Sequence, residues 1–266
     1  MMAAAATMDQ PRRPARPPSN WLALAEAPRA LGELAAFIAW RPLMRLLPRG
    51  DGHGVLVLPG FMASDTSTAP MRSLLTDLGY DVMGWDLGRN IRIDNARVAA
   101  MSDCLRTLYE RTGRKVSIVG WSLGGLLARE LAKLHPEMVR QVISLGSPLK
   151  SDRGYSNASK LFEAFNGKVT EPERDGRFRR IDSPPPVPST SVYTRTDGVV
   201  AWRGSLQPAG KGRENVEVYA SHVGLGVNPS VMLVIADRLA QAEGKWAPFK
   251  ARGLKALLFP LPRTAS

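Results

Sequence analysis

The sequence predicts an α/β fold in which a mostly parallel sheet carries helices on both faces. Two observations carry this expectation. Short, almost wholly apolar runs, such as Val55-Leu56-Val57-Leu58 and Val142-Ile143-Ser144-Leu145, recur through the middle of the chain. Strands buried on both faces read this way, whereas strands with one wet face alternate. Between these runs lie segments whose apolar residues are spaced three and four apart, the period of a helix with one buried face. The 266-residue length admits one large domain or two small ones.

Four segments follow from composition. Residues 1–20 are rich in Ala, Pro and Arg and are expected to be a disordered basic tail. Residues 21–50 form an N-terminal helical segment. Leu31, Leu34 and Ile38 mark its packing face, Pro42 interrupts it and Pro48 ends it. Such a helix packs on the core or lies along a membrane surface. Residues 51–243 carry the α/β pattern, and residues 244–266 form a basic, apolar C-terminal tail.

Within the α/β segment the alternation can be read in order. Val55 to Leu58 is the first strand and ends at Pro59-Gly60. Met71, Leu74, Leu75 and Leu78 have helical spacing, and Tyr80 to Trp85 is the second strand. Val98, Met101, Leu105 and Leu108 mark a helix closed by Gly113, before the strand Val116 to Val119. Leu123, Leu126, Leu127, Leu131 and Leu134 mark the next helix, stopped near Pro136, before the strand Val142 to Leu145. Strands at Thr190 to Thr194 and Val216 to Ala220 follow. A last helix runs from Pro229 to Ala242, with Asn228 as its N-cap. Residues 151–189 break the pattern with Gly, Ser, Arg and three consecutive prolines, and contain a short helix around Leu161 to Phe165. An insertion of this length suits a lid or a surface excursion.

The composition narrows the function. Hydrophobic residues make up 44 % and charged residues 23 %, which excludes a chain disordered throughout. A single cysteine, Cys104, excludes a disulfide framework and a Cys-rich zinc site, and nothing points to a metal or another cofactor. The net charge of +12 invites a nucleic-acid reading, but most of it lies at the ends: +4 in residues 1–50 and +5 in residues 244–266. The middle holds only +3. A nucleic-acid-binding domain more often concentrates charge on its folded body, so no specific nucleic acid is expected. Basic ends suit peripheral contact with an anionic membrane or plain solvated tails. No apolar run reaches the roughly 18 residues of a membrane span, and no secretory leader is evident. The expected location is cytoplasmic, with peripheral membrane contact open.

Chemistry enters at Gly120-Trp121-Ser122-Leu123-Gly124, between a strand and an amphipathic helix. In that context G-x-S-x-G forces a tight turn that projects the serine oxygen from the sheet edge. A serine hydroxyl needs a base to take its proton. His135 lies roughly 20 Å along the helix that begins at Ser122. His53 precedes the first strand, at the amino edge, whereas ligands bind beyond the carboxyl edge of such sheets. That leaves His222, after the Val216 to Ala220 strand. Asp197, beyond the Thr190 to Thr194 strand, is the expected acid. Asp86 is the runner-up and Asp182 is more weakly placed. Two backbone N–H groups should face a developing oxyanion: that of Leu123 and that of Phe61 beyond Gly60, with Met62 as second choice.

These motifs, with Leu58-Pro59-Gly60-Phe61, Ser144-Leu145-Gly146-Ser147-Pro148, Thr194 to Val200 and Ser221 to Leu225, resemble the α/β-hydrolase superfamily and within it bacterial lipase- and esterase-type serine hydrolases. The resemblance covers about residues 54–241. Pro59 stands where such lipases commonly carry His, and Trp121 where many carry His before the serine. The antiparallel strands that open the full fold are not evident. The resemblance implies cleavage of a small-molecule or lipid carboxylic ester through an acyl-enzyme, without a cofactor. Phe61, Met62, Trp85 and Trp121 would surround an apolar substrate site. An acyltransferase or thioesterase would use the same triad, and a non-catalytic binding protein the same fold.

Overall fold

A computed structural model describes residues 16–150, 156–157 and 182–261. The predicted insertion of residues 151–189, its short helix included, lies mostly outside the described residues, as do residues 1–15 and 262–266. Among the described residues, six strands form one sheet: β1 (Gly54–Leu58), β2 (Asp81–Met83), β3 (Val116–Trp121), β4 (Val139–Leu145), β5 (Ser189–Tyr193) and β6 (Arg213–Glu217). Their order is β2-β1-β3-β4-β5-β6, and every pair is parallel. All carboxyl ends therefore meet at one edge.

The period of two divides each inner strand between two cores. Val55 and Val57 of β1 face one cluster, with Phe37 and Met44, Met71 to Leu78, and Val231 to Leu239. Leu56 and Leu58 face the other, with Val98, Leu105, Leu123 and Leu127. Helices α2 (Glu26–Met44), α3 (Asp65–Asp77) and α6 (Pro229–Leu239) thus cover one face, and α4 (Asn95–Thr112) and α5 (Leu123–Leu134) the other. Burying each Leu-sized side chain stabilises the fold by about 1.5–3 kcal/mol. Local signals end the helices as expected. Asp94 accepts the Arg97 N–H at the start of α4, and Gly113 closes it at φ 62°. Asn228 accepts the N–H groups of Ser230 and Val231 ahead of α6.

Two expectations change. The N-terminal segment is helical, as α1 (Asn20–Leu24) and α2, but the predicted packing face is not the buried one. Leu31 and Ile38 are exposed, while Glu26, Phe37 and Met44 are buried. The strand predicted at Val216 to Ala220 begins and ends three residues earlier, because the edge strand β6 pairs with β5 from Ser189↔Arg213 to Tyr193↔Glu217. Its polar residues are held by ion pairs, Glu214 with Arg238 and Glu217 with Arg195. The C-terminal tail packs on the body through Phe249 and Phe259, whose rings lie 5.0 Å apart, and leaves Leu254, Leu257 and Leu261 exposed. Among the described residues, no helix is long and apolar enough to cross a membrane.

Candidate active site

Six loops leave the carboxyl edge, one after each strand. The turn after β3 leads directly into α5. Ser122 adopts φ 53° and ψ −119° ahead of α5, a left-handed conformation that costs a non-glycine residue roughly 1–3 kcal/mol. The turn closes because its flanking residues lack side chains. A Cβ on Gly120 would lie 2.3 Å from the Gly124 carbonyl oxygen, and one on Gly124 would lie 2.3 Å from that of Leu58. The Ser122 N–H donates to the Leu145 carbonyl at 2.8 Å and ties the turn to β4.

Ser122 Oγ lies 3.0 Å from His222 Nε2, and His222 Nδ1 lies 2.7 Å from Asp197 Oδ2. The loops after β3, β5 and β6 thus bring the three sequence-predicted residues into one hydrogen-bonded chain. Asp197 is fixed from its other side, where Oδ1 accepts the N–H groups of Val199 at 2.8 Å and Val200 at 2.6 Å. His222 and Asp197 are both buried. Burial alone would push the imidazole down, but the charge and hydrogen bond of Asp197 and the charge of Glu26 outweigh it. The His222 imidazole is therefore held above its ordinary value of 6.5.

The remaining expected residues divide. Leu123 opens α5, so its N–H belongs to the first turn, where a helix has no carbonyl of its own to offer. Phe61 follows Gly60 in the loop after β1, and a Cβ on Gly60 would come within 3.3 Å of Ser122 Cβ. The Met62 N–H donates to the Asn90 carbonyl at 2.8 Å, so it is committed elsewhere. The Met62 side chain is exposed beside this loop. Trp121 is partly buried against the core, and its indole N–H donates to the His222 carbonyl at 3.0 Å. Trp85 corrects an expectation. It is 1 % exposed inside the core, its indole N–H bonded to the Gly88 carbonyl, so it lines no open site. Asp86 follows the edge strand β2 and is exposed; its backbone N–H donates to Asp65.

Sequence reasoning missed Asn90, which is fully buried under the loop after β1. Its side-chain amide donates to the Pro59 carbonyl, its backbone N–H to Ala63 and its carbonyl accepts from Met62, all at 2.8 Å. Only its place beyond β2 could have drawn notice. A second Ser-His-Asp arrangement lies at the amino edge. Ser117 Oγ is 2.8 Å from His53 Nε2, and His53 Nδ1 is 2.5 Å from Asp51 Oδ1. Ser117, within β3, and His53, in the loop before β1, are completely buried, so this arrangement holds the sheet edge and cannot meet a substrate. The third histidine, His135, ends α5 and pairs with Ser102. Cys104 is a free, partly buried thiol within α4, pushed up by burial and nearby carboxylates. Among the described residues, no group of three or more His, Cys, Asp or Glu side chains could hold a metal ion.

Comparison with known proteins agrees with this architecture. No curated protein matches the sequence. The Aspergillus fumigatus lipase B structure superposes with a TM-score of 0.58 at 16 % identity, covering 78 % of this chain and 56 % of that one. The mature form of Bacillus licheniformis lipase BlEst2 gives 0.53 at 18 % identity, covering 72 % and 94 %. A structure from the metagenome-derived lipolytic enzymes LipS and LipT gives 0.51 at 19 % identity, covering 73 % and 94 %. At these identities the likeness is one of fold. The family model for the alpha/beta hydrolase fold matches residues 32–181, more than half of the sequence, and with the parallel sheet and the strained serine turn this makes the chain a member of the α/β-hydrolase fold family.

Proposed function

We propose that the protein is a serine hydrolase that cleaves a carboxylic ester, with Ser122 as nucleophile, His222 as base and Asp197 as the acid that orients it. The observation that carries this reading is the continuous Ser122–His222–Asp197 hydrogen-bonded chain ending on a strained turn. Ser122 Oγ attacks the ester carbonyl carbon while His222 Nε2 takes its proton. The carbonyl oxygen gains the negative charge and faces the N–H groups of Leu123 and Phe61. The tetrahedral species collapses, the bond to the leaving oxygen breaks, and His222 returns the proton to that alcohol. Water then attacks the acyl-enzyme, again losing a proton to His222, and the carboxylic acid leaves Ser122. Asp197 stays ionised and stabilises the imidazolium.

Exposed Met62 beside the oxyanion loop, together with the apolar Phe61, supports an apolar acyl group from a small-molecule or lipid ester. The lipases that share the fold point the same way. The test is labelling by a fluorophosphonate, run beside rates on esters of increasing acyl length. Wild-type protein should be labelled and Ser122→Ala should not, with its turnover down by several decades. Unchanged turnover in a folded Ser122→Ala variant would remove the assignment.

A further inference from the structure

The N-terminal helices carry an unusual load of buried charge for a surface segment. Glu26, in the first turn of α2, is only 5 % exposed. Its Oε1 accepts the Gly198 N–H at 2.7 Å, and its Oε2 accepts the Val223 N–H at 2.8 Å. Gly198 directly follows Asp197, and Val223 directly follows His222. One carboxylate therefore spans the two loops that present the acid and the base.

Two further side chains of the same helix reinforce the span. Arg29 donates to the Thr196 carbonyl and hydroxyl, each at 2.8 Å, and also to the Ala220 carbonyl. Glu33 accepts the Ser221 N–H at 2.6 Å. Backbone on both sides of Asp197 and of His222 is thus fastened to α2. Glu26, Arg29 and Glu33 fall at helical spacing on one face. Close approach demands small partners. A Cβ on Gly198 would lie 2.4 Å from the Leu22 carbonyl oxygen, and one on Gly224 would lie 1.8 Å from Glu33 Oε2.

We propose that Glu26 is a positioning residue for the hydrolysis, holding the Asp197 and His222 loops in register and placing negative charge behind the imidazole. This rests on the serine hydrolase reading above. Glu26 touches no substrate; it acts through the two loops. The His222 imidazole bonds to Asp197 beyond β5 and Ser122 beyond β3 and feels the charge of Glu26 of α2, while Arg29 and Glu33 bind the flanking backbone. Carboxylate oxygens are good acceptors for two N–H groups at once, and an amide offers one acceptor and a donor that opposes the second N–H.

The experiment compares Glu26→Gln, Glu26→Asp and Phe37→Leu with wild type, using a short soluble ester and a full pH profile. Glu26→Gln should lower kcat about 10–100-fold with KM nearly unchanged, as misplacement of catalytic groups does. Its acid limb should move to lower pH, because a negative charge that favours the imidazolium is gone. Glu26→Asp keeps the charge but loses reach, so kcat should fall while the acid limb stays. Phe37→Leu, in the core-facing part of α2, should lower Tm and leave the acid limb in place. Should Glu26→Gln fail to fold, Glu26→Asp carries the test, and a wild-type kcat in it overturns the proposal. A wild-type kcat and acid limb in folded Glu26→Gln overturn it equally. Failure of the underlying reading would look different: no fluorophosphonate labelling of wild-type Ser122.

Discussion

The indole N–H of Trp121 donates to the backbone carbonyl of His222 at 3.0 Å, so the residue before Ser122 also holds the His222 loop. Trp121 is the last residue of β3, the strand that leads into the serine turn. The bond links the rigid centre of the sheet to a loop at its edge. Trp121→Phe keeps most of the packing and removes only this donor. Leaving a buried carbonyl without its partner costs about 1–3 kcal/mol. The expected outcome is a several-fold fall in kcat on a soluble ester and a modest fall in Tm. Steady-state kinetics beside a thermal melt would check both.

Asp197 and Asp86 should respond very differently to loss of charge. Asp197→Asn leaves His222 Nδ1 without its carboxylate and favours the wrong tautomer, a change that costs up to about 10⁴-fold in kcat in such triads. The acid limb of kcat/KM should also move to lower pH, since the Asp197 charge helps hold the imidazole up. Asp86→Asn, at an exposed position beyond an edge strand, should leave both almost unchanged. Equal losses in the two variants would move the acid role away from Asp197.

Stability should fall on acidification in two windows, both set at the amino edge of the sheet. Burial pushes the His53 imidazole down, and its bond to Asp51 only partly offsets this. A group depressed in the folded state takes up its proton more readily in the unfolded chain. The His53 contribution is therefore complete above 6.5 and is lost as pH falls below that value. Burial would raise Asp51, but hydrogen bonds from Arg140 and His53 outweigh it and hold the carboxyl well below its ordinary 3.8. Its contribution is lost at pH below that value. His222 has the opposite sign: raised in the folded protein, it adds stability that is full below 6.5 and lost as pH rises. Urea midpoints from pH 7 down to about pH 2, in wild type and in His53→Gln, would test this. The fall beginning near 6.5 should shrink in the variant.

The inner strands and the serine turn were legible in the sequence because burial on both faces leaves a continuous apolar run. Val55 to Leu58 and Val142 to Leu145 have no other ready reading. β6 was legible only in part. Arg213, Glu214 and Glu217 look like loop residues until Arg238 and Arg195, distant in sequence, supply partners. The same limit hid the true inner face of α2. Apolar Leu31 and Ile38 seemed the natural packing residues, yet Glu26 is buried because two backbone N–H groups from remote loops meet its carboxylate. Asn90 escaped notice for a related reason, since its partners Pro59, Met62 and Ala63 belong to a loop before α3. Trp85 was misplaced because an aromatic at a strand's carboxyl end suits a pocket and a core equally well.

The bonds of Glu26 also bear on how the site comes into being. Its two partners lie 172 and 197 residues away along the chain. Contacts of such separation form late, because a long loop must close before they return any stabilisation. The serine turn, by contrast, depends on β3, β4 and α5, which are neighbours in sequence. A nascent chain can therefore shape the Ser122 turn before the Asp197 and His222 loops are joined. The carboxylate that joins those two loops arrives only when α2 has packed against both.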